Sequence, residues 1–164
     1  MAKKGKKISK EKADMMVIQI YKDLAGYNQI EVCGSIRRKK KMVGDIDIVV
    51  STAVEGDASH ITKSIREDIG ITDILVAGPK IYRVMIGDVQ IDFYICPNRL
   101  FGSHVLFLTG SMYFNIKCRT LAKEMGYRLS QYGLLTADGE EVAITENGIL
   151  ETLGLEYFMN PVLR

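Results

Sequence analysis

Gly34-Ser35-Ile36-Arg37-Arg38-Lys39-Lys40-Lys41-Met42-Val43-Gly44-Asp45-Ile46-Asp47-Ile48-Val49-Val50 is the stretch whose reading decides the fold. Just before it, residues 30–33 (Ile-Glu-Val-Cys) read as a short strand that Gly34 stops. Asp45 to Val50 reads as the next strand, with Ile46, Ile48 and Val50 on one face and Asp45, Asp47 and Val49 on the other. Carboxylates at i and i+2 of a strand project to the same side. One face therefore packs into a core while the other carries charge. Between the two strands lie a glycine turn, a short helical stretch and five consecutive basic residues, Arg37 to Lys41.

Toward the N-terminus, Ala13, Met16, Val17, Ile20 and Leu24 recur at helical spacing, which predicts a helix from Ser9 to about Gly26 with one buried face. Downstream the pattern predicts a helix over His60 to Ile69. Three strands follow at Asp73 to Val76, Lys80 to Ile86 and Val89 to Ile95, turned by Gly78-Pro79 and Gly87-Asp88. In the last of these Ile91, Phe93 and Ile95 share a face, leaving Asp92 beside Gln90 and Tyr94 and free to join Asp45 and Asp47. After Pro97 a helical stretch covers roughly Ser103 to Leu108, Thr109-Gly110-Ser111 interrupts it, and a longer helix capped by Ser111 runs to about Met125. Tyr127 to Leu135 and Glu141 to Ile144 read as strands joined by a turn at Asp138-Gly139. Glu146 to Leu153 reads as a final helix ended by Gly154. The expected class is α+β: a mixed β-sheet with helices on one face over residues 8–98, then a small α+β C-terminal lobe over 99–164, with 1–7 a basic disordered tail.

The 164 residues, 47% hydrophobic and 26% charged, fall in the range of soluble globular proteins. The net charge of +2 conceals concentration, since six lysines lie within the first twelve residues. No apolar run reaches membrane-spanning length, which excludes a helical membrane protein and points to an intracellular one. Cys33, Cys96 and Cys118 are odd in number and far apart, so neither a disulfide framework nor a zinc ribbon is indicated; His60 and His104 also lack companions at ligand spacing.

Three carboxylates on neighbouring strands would make a cage of hard oxygen ligands suited to magnesium. Gly34-Ser35 offers backbone N–H groups and a hydroxyl to phosphate oxygens, with Arg38 close enough to join them. Each feature alone has an ordinary explanation: a plain turn, a solvated basic face, acids facing water. Their conjunction favours a site for divalent metals and a triphosphate, which is the equipment of nucleotidyl transfer.

Gly34-Ser35-Ile36-Arg37-Arg38, Gly44-Asp45-Ile46-Asp47 and Ile91-Asp92 also resemble the palm of the family X, or polymerase beta-like, DNA polymerases. Phe107-Leu108-Thr109-Gly110-Ser111 is similar to that family's Tyr-Phe-Thr-Gly-Ser segment. Asn115 and Arg119, Gln131-Tyr132 and Leu153 to Tyr157 match as well, so the likeness covers nearly the whole chain from about Ile8. It implies a nucleotidyltransferase palm and a thumb-like lobe, without lyase or fingers domains.

The implied activity is that of a DNA-directed DNA polymerase, which adds dNMP to a primer 3′-hydroxyl and releases pyrophosphate, filling short gaps in repair. It would use two Mg2+, with Mn2+ able to substitute, act on gapped or primer–template DNA and dNTP, and work as a monomer. By the same resemblance Asp45 and Asp47 would hold both metals, and Asp92 would hold the catalytic one and promote deprotonation of the primer terminus. Gly34, Ser35, Arg38 and Gly44 would hold the triphosphate, Phe107, Leu108 and Gly110 the sugar, and Asn115 the base edge. Arg119, Gln131, Tyr132, Lys39, Lys40 and Lys41 would meet DNA, and a cis peptide is expected between Gly110 and Ser111.

Departures from the family pattern are Gln90 and Met112, where an arginine and an aspartate are usual, Phe107 for tyrosine, and Lys10 in place of an arginine that reaches the triphosphate. Two alternatives stand beside this reading. One is a small nucleotidyltransferase acting on RNA, protein or a small molecule, and the other is a catalytically silent nucleic-acid-binding module. Arg119 weighs against the first and the three aspartates against the second.

Overall fold

The computed structural model describes residues 6–26, 29–53 and 70–164, in a chain that divides into two compact units, Met1–Asn98 and Arg99–Arg164. The helix expected over His60 to Ile69 lies outside the described residues.

In the first unit, strand β1 (Ile8–Ser9) leads into helix α1 (Lys10–Asp23), followed by β2 (Ile30–Val32), the one-turn helix α2 (Gly34–Arg37), β3 (Met42–Val43) and β4 (Asp45–Thr52). Strands β5 (Asp73–Ala77), β6 (Ile81–Ile86) and β7 (Val89–Pro97) follow. Ser9 is extended and its side chain accepts from Lys12 N, which starts α1 where the apolar repeat begins. Ala13, Val17, Ile20 and Leu24 then pack with Ile46, Ile48, Val50, Ile91 and Phe93, so α1 covers the apolar face of the sheet. That sheet runs β2-β4-β7-β6-β5. It is mixed, because β4 and β7 are parallel whereas the β2–β4, β7–β6 and β6–β5 pairs are antiparallel.

One pairing was not legible in the pattern. β1 pairs antiparallel with β3, Ile8 opposite Val43 and Ser9 opposite Met42, and Lys10 N donates to Lys41 O at 3.0 Å. Two residues on each side are too few to show a period. The ribbon nevertheless brings the start of α1 beside the Lys39 to Lys41 turn.

The second unit contains α3 (Phe101–Thr109), α4 (Met112–Glu124), a three-stranded sheet of β8 (Arg128–Ser130), β9 (Gly133–Leu135) and β10 (Glu141–Ala143), and α5 (Glu146–Thr152). Two short 3-10 turns follow, at Glu156–Met159 and Pro161–Leu163. Its core gathers Leu106, Phe114, Cys118, Ala122, Leu134, Ile149 and Leu150. Ser111 and Thr145 cap α4 and α5 with their side chains.

The single strand expected over Tyr127 to Leu135 is instead a hairpin, with Ser130 opposite Gly133 and Gln131-Tyr132 as its turn. Ser130 Oγ accepts from Tyr132 N at 3.1 Å and Ser103 Oγ donates to Gln131 O at 2.7 Å, which fixes that turn without an Asn-Gly signature. Gly133 has φ +116°, and a Cβ there would come within 2.9 Å of Ala143 O. The glycine is needed for the strands to close.

Candidate active site

In the parallel β4–β7 pair Asp45 lies opposite Gln90 and Asp47 opposite Asp92. The sheet thus brings the three sequence-identified acids to one end of two neighbouring strands. Asp45 is exposed and Asp47 half-buried, whereas Asp92 retains only 2% of its surface. Burial, with Asp45 and Asp92 beside it, pushes the Asp47 carboxyl up to about 7, although Arg38 and Arg83 pull it back. Crowded carboxylates of this kind are what a divalent cation relieves, and oxygen-only donors suit magnesium.

The Gly34-Ser35 turn is adjacent. Gly34 has φ +57°, and a Cβ on it would fall 2.3 Å from Asp47 Oδ2, so only glycine fits there. Cys33 N donates to the backbone oxygen of Asp47 at 2.7 Å, tying the turn to β4. Ser35 Oγ is buried without a hydrogen-bond partner among the described residues. A buried hydroxyl left that way is a position for a ligand oxygen. Arg38 ends α2; burial lowers its pKa and Asp47 acts in the opposite sense. Gly44 is half-buried at the start of β4, and Lys39, Lys40 and Lys41 are exposed. Lys10 pairs with Asp14 of its own helix.

The sequence reading left Asp92 free, and the structure does not. Arg83, opposite Asp92 on β6, donates from Nε to Oδ1 at 2.8 Å and from Nη2 to Oδ2 at 2.5 Å. Gln90 Nε2 donates to Oδ1 at 3.0 Å and the Tyr94 hydroxyl to Oδ2 at 3.4 Å. The bond to Asp92 holds the Arg83 pKa above its ordinary value. Burial, then Asp47 and Asp92, raise the pKa of Tyr94. Among the described residues, no three acidic, histidine or cysteine groups are gathered as a metal cage. Arg83 was the residue missed. The signal was available, because counting back from the Gly87-Asp88 turn, Ile86 to Val89 and onward, places Arg83 across from Asp92.

The second unit brings together Phe107, Asn115 and Arg119, which line a cleft with Ser103, Leu106 and Ser130. Asn115 Nδ2 donates to Phe107 O at 2.7 Å and the Arg119 guanidinium lies 5.2 Å from the Phe107 ring centre. Leu108 and Gly110 do not line this cleft; Gly110 ends α3 at φ +60°, and the Gly110–Ser111 peptide is cis. Gln131 and Tyr132 form the β8–β9 turn, with the Tyr132 ring edge-on to His104 at 6.0 Å.

Comparison with known proteins finds one family across both units. The family description "DNA polymerase beta palm" matches residues 8–80 and "DNA polymerase beta thumb" matches residues 104–164. The chain belongs to the family X DNA polymerases. Its family X relatives include the Repair DNA polymerase X of African swine fever virus, 27% identical over 135 residues, covering 78% of this chain and 77% of the viral protein. The DNA polymerase lambda of Rattus norvegicus is 29% identical over 153 residues, covering 76% of this chain and 27% of the rat protein. The DNA polymerase/3'-5' exonuclease PolX of Bacillus subtilis is 29% identical over 112 residues, 66% of this chain and 19% of the bacterial protein. The match thus spans about a fifth to a quarter of those two longer relatives. Metal dependence is general to family X. No helix among the described residues of this family X chain is long and apolar enough to cross a membrane.

Proposed function

We propose that the chain is a DNA-directed DNA polymerase that extends a primer 3′ end in short gaps during repair. The observation that carries this reading is Asp47 opposite Asp92 on parallel strands, two residues after Asp45 and beside the Gly34-Ser35 turn, in a chain similar to both palm and thumb. Resemblance to polymerases named for DNA repair supports the rest.

Asp45, Asp47 and Asp92 would hold two magnesium ions, for which manganese could stand in. Bound there, the cations supply Lewis-acid charge at the α-phosphate and the departing pyrophosphate. The chain's own groups hold and orient. The Ser35 hydroxyl, backbone groups at Gly34 and Gly44, and the Arg38 guanidinium bind triphosphate oxygens. The 3′-oxygen forms a bond to the α-phosphorus as the bond to the β-phosphate oxygen breaks, and the hydroxyl proton passes to an Asp92 oxygen. In the second unit Phe107, Leu108 and Gly110 are assigned to the sugar, Asn115 to the base edge, and Arg119, Gln131 and Tyr132 to DNA. An intracellular setting, in keeping with three buried cysteines that form no disulfide, and a monomeric state belong to the same proposal.

The test is primer extension on a gapped duplex with single deoxynucleotides, with magnesium or a chelator, beside Asp92→Asn. Template-directed addition that stops on chelation and falls by about a thousandfold or more in the variant is expected. Extension that survives either change would remove the metal-site assignment, and extension indifferent to the template base would favour a different nucleotidyltransferase.

A further inference from the structure

Both oxygens of Asp92 are fully engaged. A carboxylate offers about four acceptor positions. Here Arg83 Nε and Gln90 Nε2 take those on Oδ1, while Arg83 Nη2 and the Tyr94 hydroxyl take those on Oδ2. The directions matter as well as the count. Asp47 Oδ2 lies against Gly34, just beyond β2, whereas the Asp92 carboxylate faces Arg83 on β6, on the opposite side of the β4–β7 pair. The two acids that are opposite in register thus have different neighbours, Gly34 for Asp47 and Arg83 for Asp92.

We propose that Arg83 is a latch on the metal site: its two-pronged hold on Asp92 competes with the divalent cation, and Asp92 reaches the cation only as that hold loosens to one bond or none. This rests on the reading of Asp45, Asp47 and Asp92 as metal ligands. Arg83 acts through Asp92 and is a positioning residue. A planar guanidinium matches both oxygens at once, which a lysine cannot do. Lysine keeps the positive charge but gives up one prong. Its behaviour therefore separates competition for oxygen positions from the simple electrostatic effect of a nearby cation.

Binding of Mn2+ alone, read from the free-ion electron paramagnetic resonance signal at fixed ionic strength, tests the latch without any turnover. The expected result is binding about fivefold tighter in Arg83→Lys and at least as tight in Arg83→Gln, as competing charge-assisted bonds are removed. Affinity in Arg83→Lys equal to or weaker than that of the unaltered protein overturns the latch, even if Arg83→Gln binds more tightly, since that pair of results is a field effect alone. Should Arg83→Gln fail to fold in a melting scan, Arg83→Lys decides by itself. Asp47→Asn in the same assay keeps the two ideas apart. If it leaves Mn2+ binding unchanged, the metal-site reading fails and takes the latch with it, whereas a loss of binding there beside unaltered binding in Arg83→Lys removes the latch only.

Discussion

At the residue scale, Gly34 and Asp47 are coupled by contact. A methyl group at position 34 would sit 2.3 Å from Asp47 Oδ2 on a backbone at φ +57°, so Gly34→Ala must displace the carboxylate or the turn. Strain of this kind costs about 1–3 kcal/mol, and an ångström-scale misplacement of a site group lowers turnover about a hundredfold. Parallel melting and primer-extension measurements on Gly34→Ala should show both losses; near-normal extension would mean that the turn does not position Asp47. Asp47 also links fold to pH. Its carboxyl is raised from 3.8 to about 7, so between those values the folded state binds more protons than the unfolded one. Stability therefore falls as pH rises through that window. With a chelator present, Asp47→Asn should raise the melting temperature little at pH 4 and clearly at pH 8, and an equal gain at both would show that the charge of Asp47 is not the cause.

At the element scale, α2 ends in an unusual way. Lys39 adopts φ +55° in the position after the cap, where glycine is the common choice, while its N donates to Ile36 O at 2.8 Å. A left-handed conformation costs an L-residue about 1–2 kcal/mol, and glycine would return about 0.5–1 kcal/mol of that as unfolded-chain entropy. Lys39→Gly should thus stabilise the unit by about 0.5–1 kcal/mol in a denaturant titration and weaken DNA binding, a combination that a purely structural Lys39 would not give. The elements that position the site were legible because their residues alternate or repeat strongly: Ile46, Ile48 and Val50 against Asp45 and Asp47, or Ala13, Val17 and Ile20 along α1. The β1–β3 ribbon and the Gln131-Tyr132 turn were not, since two-residue pairings have no period and this turn is set by side-chain bonds from Ser130 and Ser103. The hold of Arg83 on Asp92 lay between these cases. It follows from register, which strand periodicity alone does not supply but the hairpin turn does.

At the scale of the whole molecule, the proposed function requires a surface that would hold DNA. The net charge of +2 is too small to attract a polyanion by itself, so the placement of the basic groups decides. Two lysines near the N-terminus are matched by acids, Lys6 with Asp88 and Lys10 with Asp14, which reduces their worth to a phosphate. Lys39, Lys40 and Lys41 are instead exposed together on the turn that the β1–β3 ribbon holds beside α1. Each lysine that neutralises a phosphate contributes about 0.9 to the slope of log affinity against log salt. If all three make such contacts, replacing them together by alanine should reduce that slope by about 2.7 while leaving primer-terminus and template preferences intact, because phosphate contacts carry no sequence information. Fluorescence anisotropy on a gapped duplex, titrated from low to moderate salt, measures the slope directly. Parallel lines for the variant and the unaltered protein would exclude the Lys39 to Lys41 turn as a DNA-holding surface and move attention to Arg119, Gln131 and Tyr132 of the second unit.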